Sequence, residues 1–287
     1  MPKITFLILH YYTYEDTIKC VESIEKLTYQ NIEIVIVDNA SKNDSGKLLK
    51  EKYKDNKNIH IILSDKNLGF ANGNNLGFKY AKEALETDFI VMCNNDVYMI
   101  QDDFCEKIIK EYNQSKFAIL GPKIFLNNNT VCDYSDVMPT LQELKRKRIY
   151  RKIFYLLNKI YLRYIYAVIY RICKIFIKEK EVDTSIRKEN VVINGACIIF
   201  SKEYINKFDG IDNRTFLYYE EPLLYLRIKQ NNMKSVYNPE LEVFHNEGVA
   251  TTKSQKNKRK KFDFVLKYEL ESLDILISSL KNEKGEK

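Results

Sequence analysis

Long uncharged apolar runs are missing from this sequence. No stretch of about 18 apolar residues is free of charge, so a membrane-spanning helix is not expected. The opening segment, Pro2 to His10, is too short and too polar at its flanks for a signal peptide. There is no internal repeat and no proline- or glycine-rich linker, which favours one catalytic-sized domain with an insertion and a tail. Six cysteines (Cys20, Cys93, Cys105, Cys132, Cys173 and Cys197) form no C-x-x-C pair and no Cys/His cluster with zinc spacing. Several stand inside apolar runs and read as buried, reduced thiols, as expected in a cytoplasmic compartment. Neither G-x-G-x-x-G nor G-x-x-x-x-G-K-[ST] occurs, which disfavours a nicotinamide dehydrogenase and a P-loop enzyme.

What is present suits a folded domain. Of 287 residues, 45% are hydrophobic and 30% charged, enough for a full core and too apolar for general disorder. The net charge of +7 is uneven, with basic residues clustered at 145–178 and 253–261. Such clusters point to an anionic partner (nucleic acid, an anionic membrane surface or a phosphate-bearing substrate) or to plain solvated surface.

The first hundred residues alternate strand-like and helix-like patterns. Ile4–Leu9, Ile32–Val37, Ile59–Leu63 and Phe89–Cys93 read as strands. Asp16–Leu27, a segment starting at Asp44, and Asn74–Leu85 read as helices. That alternation predicts a mostly parallel sheet flanked by helices. Ligands then bind beyond the C-terminal strand ends. The polar segments there are His10-Tyr11, Asp38-Asn39-Ala40-Ser41, Ser64 to Asn67, and Asn94-Asn95-Asp96. Further on, strand-like sequence returns at Val191–Phe200, a helix is expected over Glu220–Gln230, and strands near Ser235–Tyr237 and Leu241–Phe244.

Four motifs carry possible chemistry. Asn94-Asn95-Asp96 offers a carboxylate and amide oxygens for a hard divalent cation that also holds phosphates, or else is a polar turn. From Asn67 to Gly77 glycines recur every four residues with amides between them, so the backbone can approach a ligand closely, or the stretch is an ordinary capping loop. Glu220 and Glu221 precede Pro222 at a helix N-terminus among aromatics, where desolvation tunes basicity; the bland alternative is a dipole interaction. His245 ends an apolar strand and is a fair metal ligand, or an ordinary edge residue; His60 reads as structural.

These pieces, in this order, resemble family 2 glycosyltransferases of the GT-A fold, in particular the rhamnosyltransferase-like branch of polysaccharide biosynthesis. The resemblance runs from Ile8-Leu9-His10-Tyr11 through Ile36 to Ser41, Asn67 to Ala71, Asn94-Asn95-Asp96, Asn194-Gly195-Ala196 and the Phe208–Arg227 block to His245. It implies an α/β, GT-A (nucleotide-diphospho-sugar transferase) fold, with a catalytic domain over 1–250. That domain divides into a nucleotide-binding half (1–130), a basic aromatic helical insertion (131–190) and an acceptor-binding half (191–250). A basic, amphipathic helical tail follows at 251–287.

The resemblance also implies roles. Asp38 contacts the base or ribose of the donor, and Asn67 with the glycine segment binds the nucleotide. The donor-binding candidates are His10 (through its backbone), Tyr11, Asp38, Ser41, Asn67, Gly69, Asn75 and Asn95. Asp96 is the metal-binding aspartate; Asn94 stands at the other acidic position of that motif, leaving most of the ligation to Asp96, with His245 completing the site. Glu221 matches the acceptor-activating base, with Glu220 also a candidate, and Leu223 stands where the family often has an aspartate. The expected cofactor is divalent Mn2+ or Mg2+, the donor a UDP- or dTDP-linked sugar, the acceptor a glycan or lipid-linked oligosaccharide, and the outcome inversion in a single displacement. A nucleotidyltransferase, an inactive glycosyltransferase-like scaffold and a basic binding protein are the alternatives; no nucleic-acid motif is present.

The segment 148–178 is expected to form a helix. At about 100° per residue, Arg148, Lys152, Lys159, Arg163, Arg171, Lys174 and Lys178 share one side, with Arg151 the exception. Ile153, Leu156, Leu157, Ile160 and Tyr164 share the rest. That pattern suits peripheral association with the inner face of a membrane, or packing on protein.

Overall fold

The computed structural model describes residues 1–127, 130–131, 134–135, 138–160, 183–246 and 258–284. The N-terminal half follows the expected alternation: β1 (Ile4–His10), α1 (Tyr14–Glu25), β2 (Ile32–Asp38), α2 (Ser45–Lys52), β3 (Ile59–Leu63), α3 (Gly69–Glu83) and β4 (Phe89–Asn94). Then come β5 (Val97–Met99), α4 (Phe104–Ser115), β6 (Ile119–Leu126), β7 (Tyr134–Ser135), α5 (Leu141–Lys159), β8 (Lys188–Glu189), β9 (Val192–Ile193), β10 (Cys197–Ser201), α6 (Lys202–Lys207), α7 (Glu220–Gln230), β11 (Ser235–His245) and α8 (Lys258–Lys284).

The main sheet has the order β3-β2-β1-β4-β10-β6-β11-β5, with β8 added to β11. Strands β1 to β4 are mutually parallel, as expected. The sheet becomes mixed where β10 runs antiparallel to both β4 and β6. The Val191–Phe200 run is two strands, broken at Asn194-Gly195. The two expected strands over 235–244 are one, β11, whose register against β6 shifts between Asn238 and Glu242, on either side of Pro239.

Alternation along β1 explains the layers. Ile4, Phe6 and Ile8 point into a core shared with α1, α2 and α4. Leu7 points the other way, into a core shared with α3, α6 and α7. A third, smaller cluster joins α5, α7 and α8 through Leu144, Leu223, Leu226, Leu273 and Leu276. Leu223, which stands where the family often has an aspartate, is 2% exposed and belongs to this cluster.

Helix α3 begins five residues before the expected Asn74, and the reason corrects the reading of the glycine segment. Glycines spaced by four share one helix face. A Cβ on Gly73 would stand 2.7 Å from Leu9 Cδ1, and one on Gly77 would overlap Leu7 and press within 2.7 Å of Val37. The glycines let the helix lie directly on β1 and β2. Each costs roughly 1 kcal/mol of helix propensity relative to alanine, offset here by that close packing.

Helix α5 covers the first part of the expected 148–178 helix and starts with a capping box between Thr140 and Glu143. Residues 161–178, with Arg163, Arg171, Lys174 and Lys178, lie outside the described residues, as do Cys132 and Cys173. The four cysteines described, Cys20, Cys93, Cys105 and Cys197, are free and buried. Among the described residues no helix is long and apolar enough to cross a membrane.

Candidate active site

The polar strand ends meet at one edge of the sheet. His10 is register partner to Asp38, and Leu9 to Asn94, so the tips of β2, β1 and β4 lie side by side. Their side chains divide into groups facing the cleft and groups that build its walls.

His10 is a wall residue. Its ring is fully buried, with Nδ1 2.7 Å from Thr17 Oγ1 and Nε2 2.7 Å from Ser45 Oγ. Ser45 Oγ also lies 2.7 Å from Asn43 Oδ1, to which only its hydroxyl can donate. The arrangement that satisfies every atom is Thr17 Oγ1–H to Nδ1, then Nε2–H to Ser45, then Ser45 to Asn43. Burial drives the imidazole pKa down to about 4 despite Asp38, so the ring is neutral. The His10 carbonyl accepts from the Asn39 N–H at 3.0 Å. Asn95 is likewise built into the wall: its amide donates to Thr13 and Thr17 Oγ1 at 2.6 and 2.9 Å, locking β4 to the start of α1.

Asp38 is 6% exposed and accepts from the Ser41 N–H, 3.3 Å from both carboxylate oxygens. Gly46, in the first turn of α2, lies so close that a Cβ would overlap this carboxylate. Ser41 Oγ accepts from the Tyr12 N–H at 2.9 Å, and Tyr12 holds a left-handed φ of 66°. Tyr11 packs edge-on against Tyr12 with ring centroids 4.5 Å apart. Burial raises the Tyr11 phenol pKa, opposed by an interaction with Asn67.

Asn39 is the residue that sequence reasoning passed over. Its Nδ2 donates to Asn67 Oδ1 (3.2 Å) and to the Gly69 carbonyl (3.0 Å), and its Oδ1 accepts from the Leu68 N–H at 2.8 Å. One buried amide therefore ties the β2 tip to the Asn67–Gly69 turn. Asn67 itself accepts from the Gly69 N–H and is exposed. Asn75, in contrast, has both polar atoms committed to Ile211: Nδ2 donates to its carbonyl at 3.0 Å and Oδ1 accepts from its N–H at 2.8 Å. It fastens the 210–211 turn to α3.

Asp96 and His245 come together from opposite ends of the sequence. His245 is register partner to Val97, because β11 pairs antiparallel with β5. This sets His245 Nε2 3.1 Å from Asp96 Oδ1, both largely buried. Two donors about 2.1 Å from one cation at a right angle would stand about 3 Å apart, so the pair fits a shared divalent ion. Among the described residues no group of three or more His, Cys, Asp or Glu side chains gathers at a metal-binding spacing. Asn94, at the end of β4, stands two residues before Asp96.

The acidic pair opens α7. Tyr218 and Tyr219, just before it, both have left-handed φ, 75° and 65°. Non-glycine residues rarely adopt this region, and each costs of order 1 kcal/mol or more. The turn is held by tail helix α8: Ser272 Oγ donates to the Leu217 carbonyl at 2.7 Å, and Tyr268 stacks on Phe216 with centroids 4.2 Å apart. Glu220 is 8% exposed, and its Oε1 has no hydrogen-bond partner. Burial, then the charge of Glu221, pushes its pKa up to about 7. Burial raises Glu221 as well, opposed by its own N–H and that of Gly195, which donates to Oε1 at 3.3 Å. A Cβ on Gly195 would come within 2.6 Å of that oxygen, which accounts for the glycine at the break between β9 and β10. The next residue, Ala196, accepts from the Asn94 N–H at 2.9 Å. The acidic pair and the Asn94–Asp96 segment thus share one short stretch of backbone.

The family model for glycosyl transferase family 2 matches residues 5–182. The chain belongs to this family. Its curated relatives include the teichoic acid poly(glycerol phosphate) polymerase of Staphylococcus epidermidis, 34% identical over 97 residues, which cover 33% of this chain and 13% of that protein. They also include the low-salt glycan biosynthesis hexosyltransferase Agl10 of Haloferax volcanii, 21% identical over 264 residues, 92% of this chain and 74% of the relative. Among solved structures, S. aureus TarS 1-349 in complex with UDP superposes with a TM-score of 0.57 at 14% identity, over 98% of this chain and 66% of that one. The mannosyltransferase PcManGT of Pyrobaculum calidifontis, in complex with GDP-Man and Mn2+, gives 0.56 at 11% identity, over 99% and 75%. The fold of this chain is GT-A.

Proposed function

We propose that this protein transfers a sugar from a nucleoside-diphosphate donor to a hydroxyl of a glycan or lipid-linked acceptor, with inversion, in cell-surface polysaccharide assembly at the inner face of a membrane. The observation that carries this reading is the buried acidic pair, with raised pKa, tied through Gly195 and Ala196 to the Asn94–Asp96 segment. It sets a strong carboxylate base against the segment that would meet the diphosphate.

Glu221 takes the proton of the acceptor hydroxyl, with burial raising its basicity. The acceptor oxygen forms a bond to the anomeric carbon as the bond to the diphosphate oxygen breaks, and the electron pair leaves with the diphosphate. Asp38, with Ser41, holds the ribose or base; Tyr11 and the Asn67–Gly69 turn flank the nucleotide. A divalent cation held by Asp96 and His245, with Asn94 beside them, would neutralise the leaving diphosphate. UDP is the favoured nucleotide of the UDP- and dTDP-linked classes, because TarS is solved with UDP and with UDP-GlcNAc; PcManGT, solved with GDP-Man, keeps a guanosine donor in the test.

A thermal-shift panel of UDP-, dTDP- and GDP-sugars with Mn2+ or Mg2+ tests the donor class, since a ligand of the folded state raises the midpoint. Stabilisation by nucleoside triphosphates alone would favour a nucleotidyltransferase. Glu221→Gln should still bind donor and lose transfer by at least ~100-fold. A near-normal rate for this variant beside an inactive Glu220→Gln would reassign the base to Glu220.

A further inference from the structure

Helix α5 has two apolar faces, and among the described residues one is packed and the other exposed. Leu144 and Asn158 are buried against the rest of the protein, Arg148 pairs with Asp274 of α8, and Arg151 lies 2.9 Å from Glu269. Arg148 stays 41% exposed, but its charge is paired with Asp274, which takes it out of the basic stripe read from the sequence. The opposite face carries Ile149, Ile153, Leu156 and Ile160, which are 56%, 47%, 53% and 60% exposed. At about 100° per residue these four fall within roughly 60° of one another. Lys145, Arg146 and Lys152, all exposed, flank them. A contiguous exposed apolar stripe marks an interaction surface.

Where the stripe starts, a groove of about 520 Å³ runs between α5 and α8. Lys145, Arg148 and Lys281 line it against one acid, Asp274, with Ile149 at its edge. Arg148 and Asp274 neutralise each other, leaving two lysines to attract an anion.

We infer that this face docks on the surface of an anionic lipid bilayer. The inference deepens the reading of a lipid-linked acceptor and rests on it for its purpose. The aliphatic stripe enters the boundary between headgroups and acyl chains, and the flanking cations meet the headgroups. The groove receives a headgroup phosphate between Lys145 and Lys281. Each basic residue near such a surface contributes on the order of 1 kcal/mol, screened by salt. A second copy of the chain is a poorer occupant, because pairing two stripes would bring their flanking Lys and Arg residues face to face. The surface is also connected to the chemistry: on the inner side of α5, Lys147 lies over the ring of Tyr219, and Arg151 bonds the same Glu269 that accepts from the Tyr219 hydroxyl.

The test is flotation of the full chain with vesicles of phosphatidylcholine alone or mixed with phosphatidylglycerol. Wild type should float with the mixed vesicles at low salt, and much less at high salt or with phosphatidylcholine alone. Ile153→Asp/Leu156→Asp and Lys145→Glu/Lys281→Glu should each lose most of the flotation while keeping wild-type circular dichroism. Failure of wild type to float, or flotation unchanged in both variants, overturns the proposal. So does a wild-type dimer in sedimentation that Ile153→Asp/Leu156→Asp renders monomeric. The donor-induced thermal shift, measured on the same samples, reports on the catalytic reading separately: docking can stand where donor binding fails, and the reverse.

Discussion

The carbonyl of Phe216 occupies the space that a Cβ on Gly69 would need, and it accepts the N–H of Phe70 at 2.7 Å. Gly69 opens α3 beside the turn proposed to flank the donor; Phe216 leads into the acidic pair and is stacked on the tail helix. The contact couples the two halves of the site through backbone, where no side chain can yield to make room.

Replacing Gly69 by alanine is therefore expected to be damaging twice over. The residue has φ +79°, and the methyl has nowhere to go. A loss of roughly 1–3 kcal/mol is expected from left-handed strain and overpacking. Urea denaturation would measure it, and both donor KM and kcat should worsen. By contrast, Leu76→Ala, at an exposed position on the same helix, should change stability by no more than about 0.5 kcal/mol.

Asn39→Ala should raise donor KM more than it lowers kcat. It leaves the Leu68 N–H and the Gly69 carbonyl without their buried partner, at about 1–3 kcal/mol. The Asn67–Gly69 turn then loses its tie to Asp38. Steady-state kinetics with varied donor check the split; an unchanged KM would remove Asn39 from the donor-binding architecture.

Glu220 makes a pH-dependent contribution to stability whose sign is fixed. Its folded pKa of about 7 lies above the ordinary carboxylate value of 4.5, so the folded state holds a proton that the unfolded state releases. The stability contribution is complete below pH 4.5 and is lost as pH rises to about 7. Glu220→Gln keeps the side chain neutral throughout. Its melting temperature should exceed that of wild type at pH 8, by an amount corresponding to on the order of 2–3 kcal/mol, and the gap should close by pH 5. Calorimetry at the two pH values decides it; an equal gap at both would mean the carboxyl is not desolvated.

Asp96→Ala should lose transfer by on the order of 100-fold or more, the scale of a missing charge on the leaving group, and donor binding should no longer respond to metal. The fold should survive, because among the described residues the side chain's hydrogen-bond partner is His245. The measurement is the donor-induced thermal shift with and without Mn2+ after chelator treatment. Wild type should show a metal-dependent increment that the variant lacks, and His245→Ala should show a reduced one. A full increment in Asp96→Ala would move the cation elsewhere.

Much of the frame was legible because burial imposes period. The strands β1 to β4 announce themselves by apolar runs ending in polar residues, and those ends are where Asp38 and Asp96 stand. The roles of individual amides were not legible. Asn39, Asn75 and Asn95 look alike in sequence, yet one braces the Asn67–Gly69 turn, one holds a distant loop and one locks a helix start. What separates them is the partner each meets across the fold, at separations of 28 to 136 residues. The glycine segment could have been read better, since a spacing of four is a helix face as readily as it is a loop. Over 210–245 the helix at Glu220–Gln230 is legible, the two expected strands are one, and nothing local says that Tyr218 and Tyr219 take left-handed backbone, which depends on α8.

The placement of β11 between β6 and β5 has a consequence for the order of assembly on the ribosome. The first four strands can pair as they emerge, each with a neighbour already made. Strand β5 cannot: its partner in the main sheet is β11, some 140 residues later. Long-range pairing of this kind is slow and comes late. His245 thus reaches Asp96 only when nearly the whole chain has been synthesised, and the turn ahead of Glu220 is secured later still, by α8. Under the proposed function, a nascent chain would complete the strand ends proposed to hold the nucleotide well before the groups proposed to act on the donor come together, so partly made protein would bind a sugar nucleotide before it could transfer the sugar.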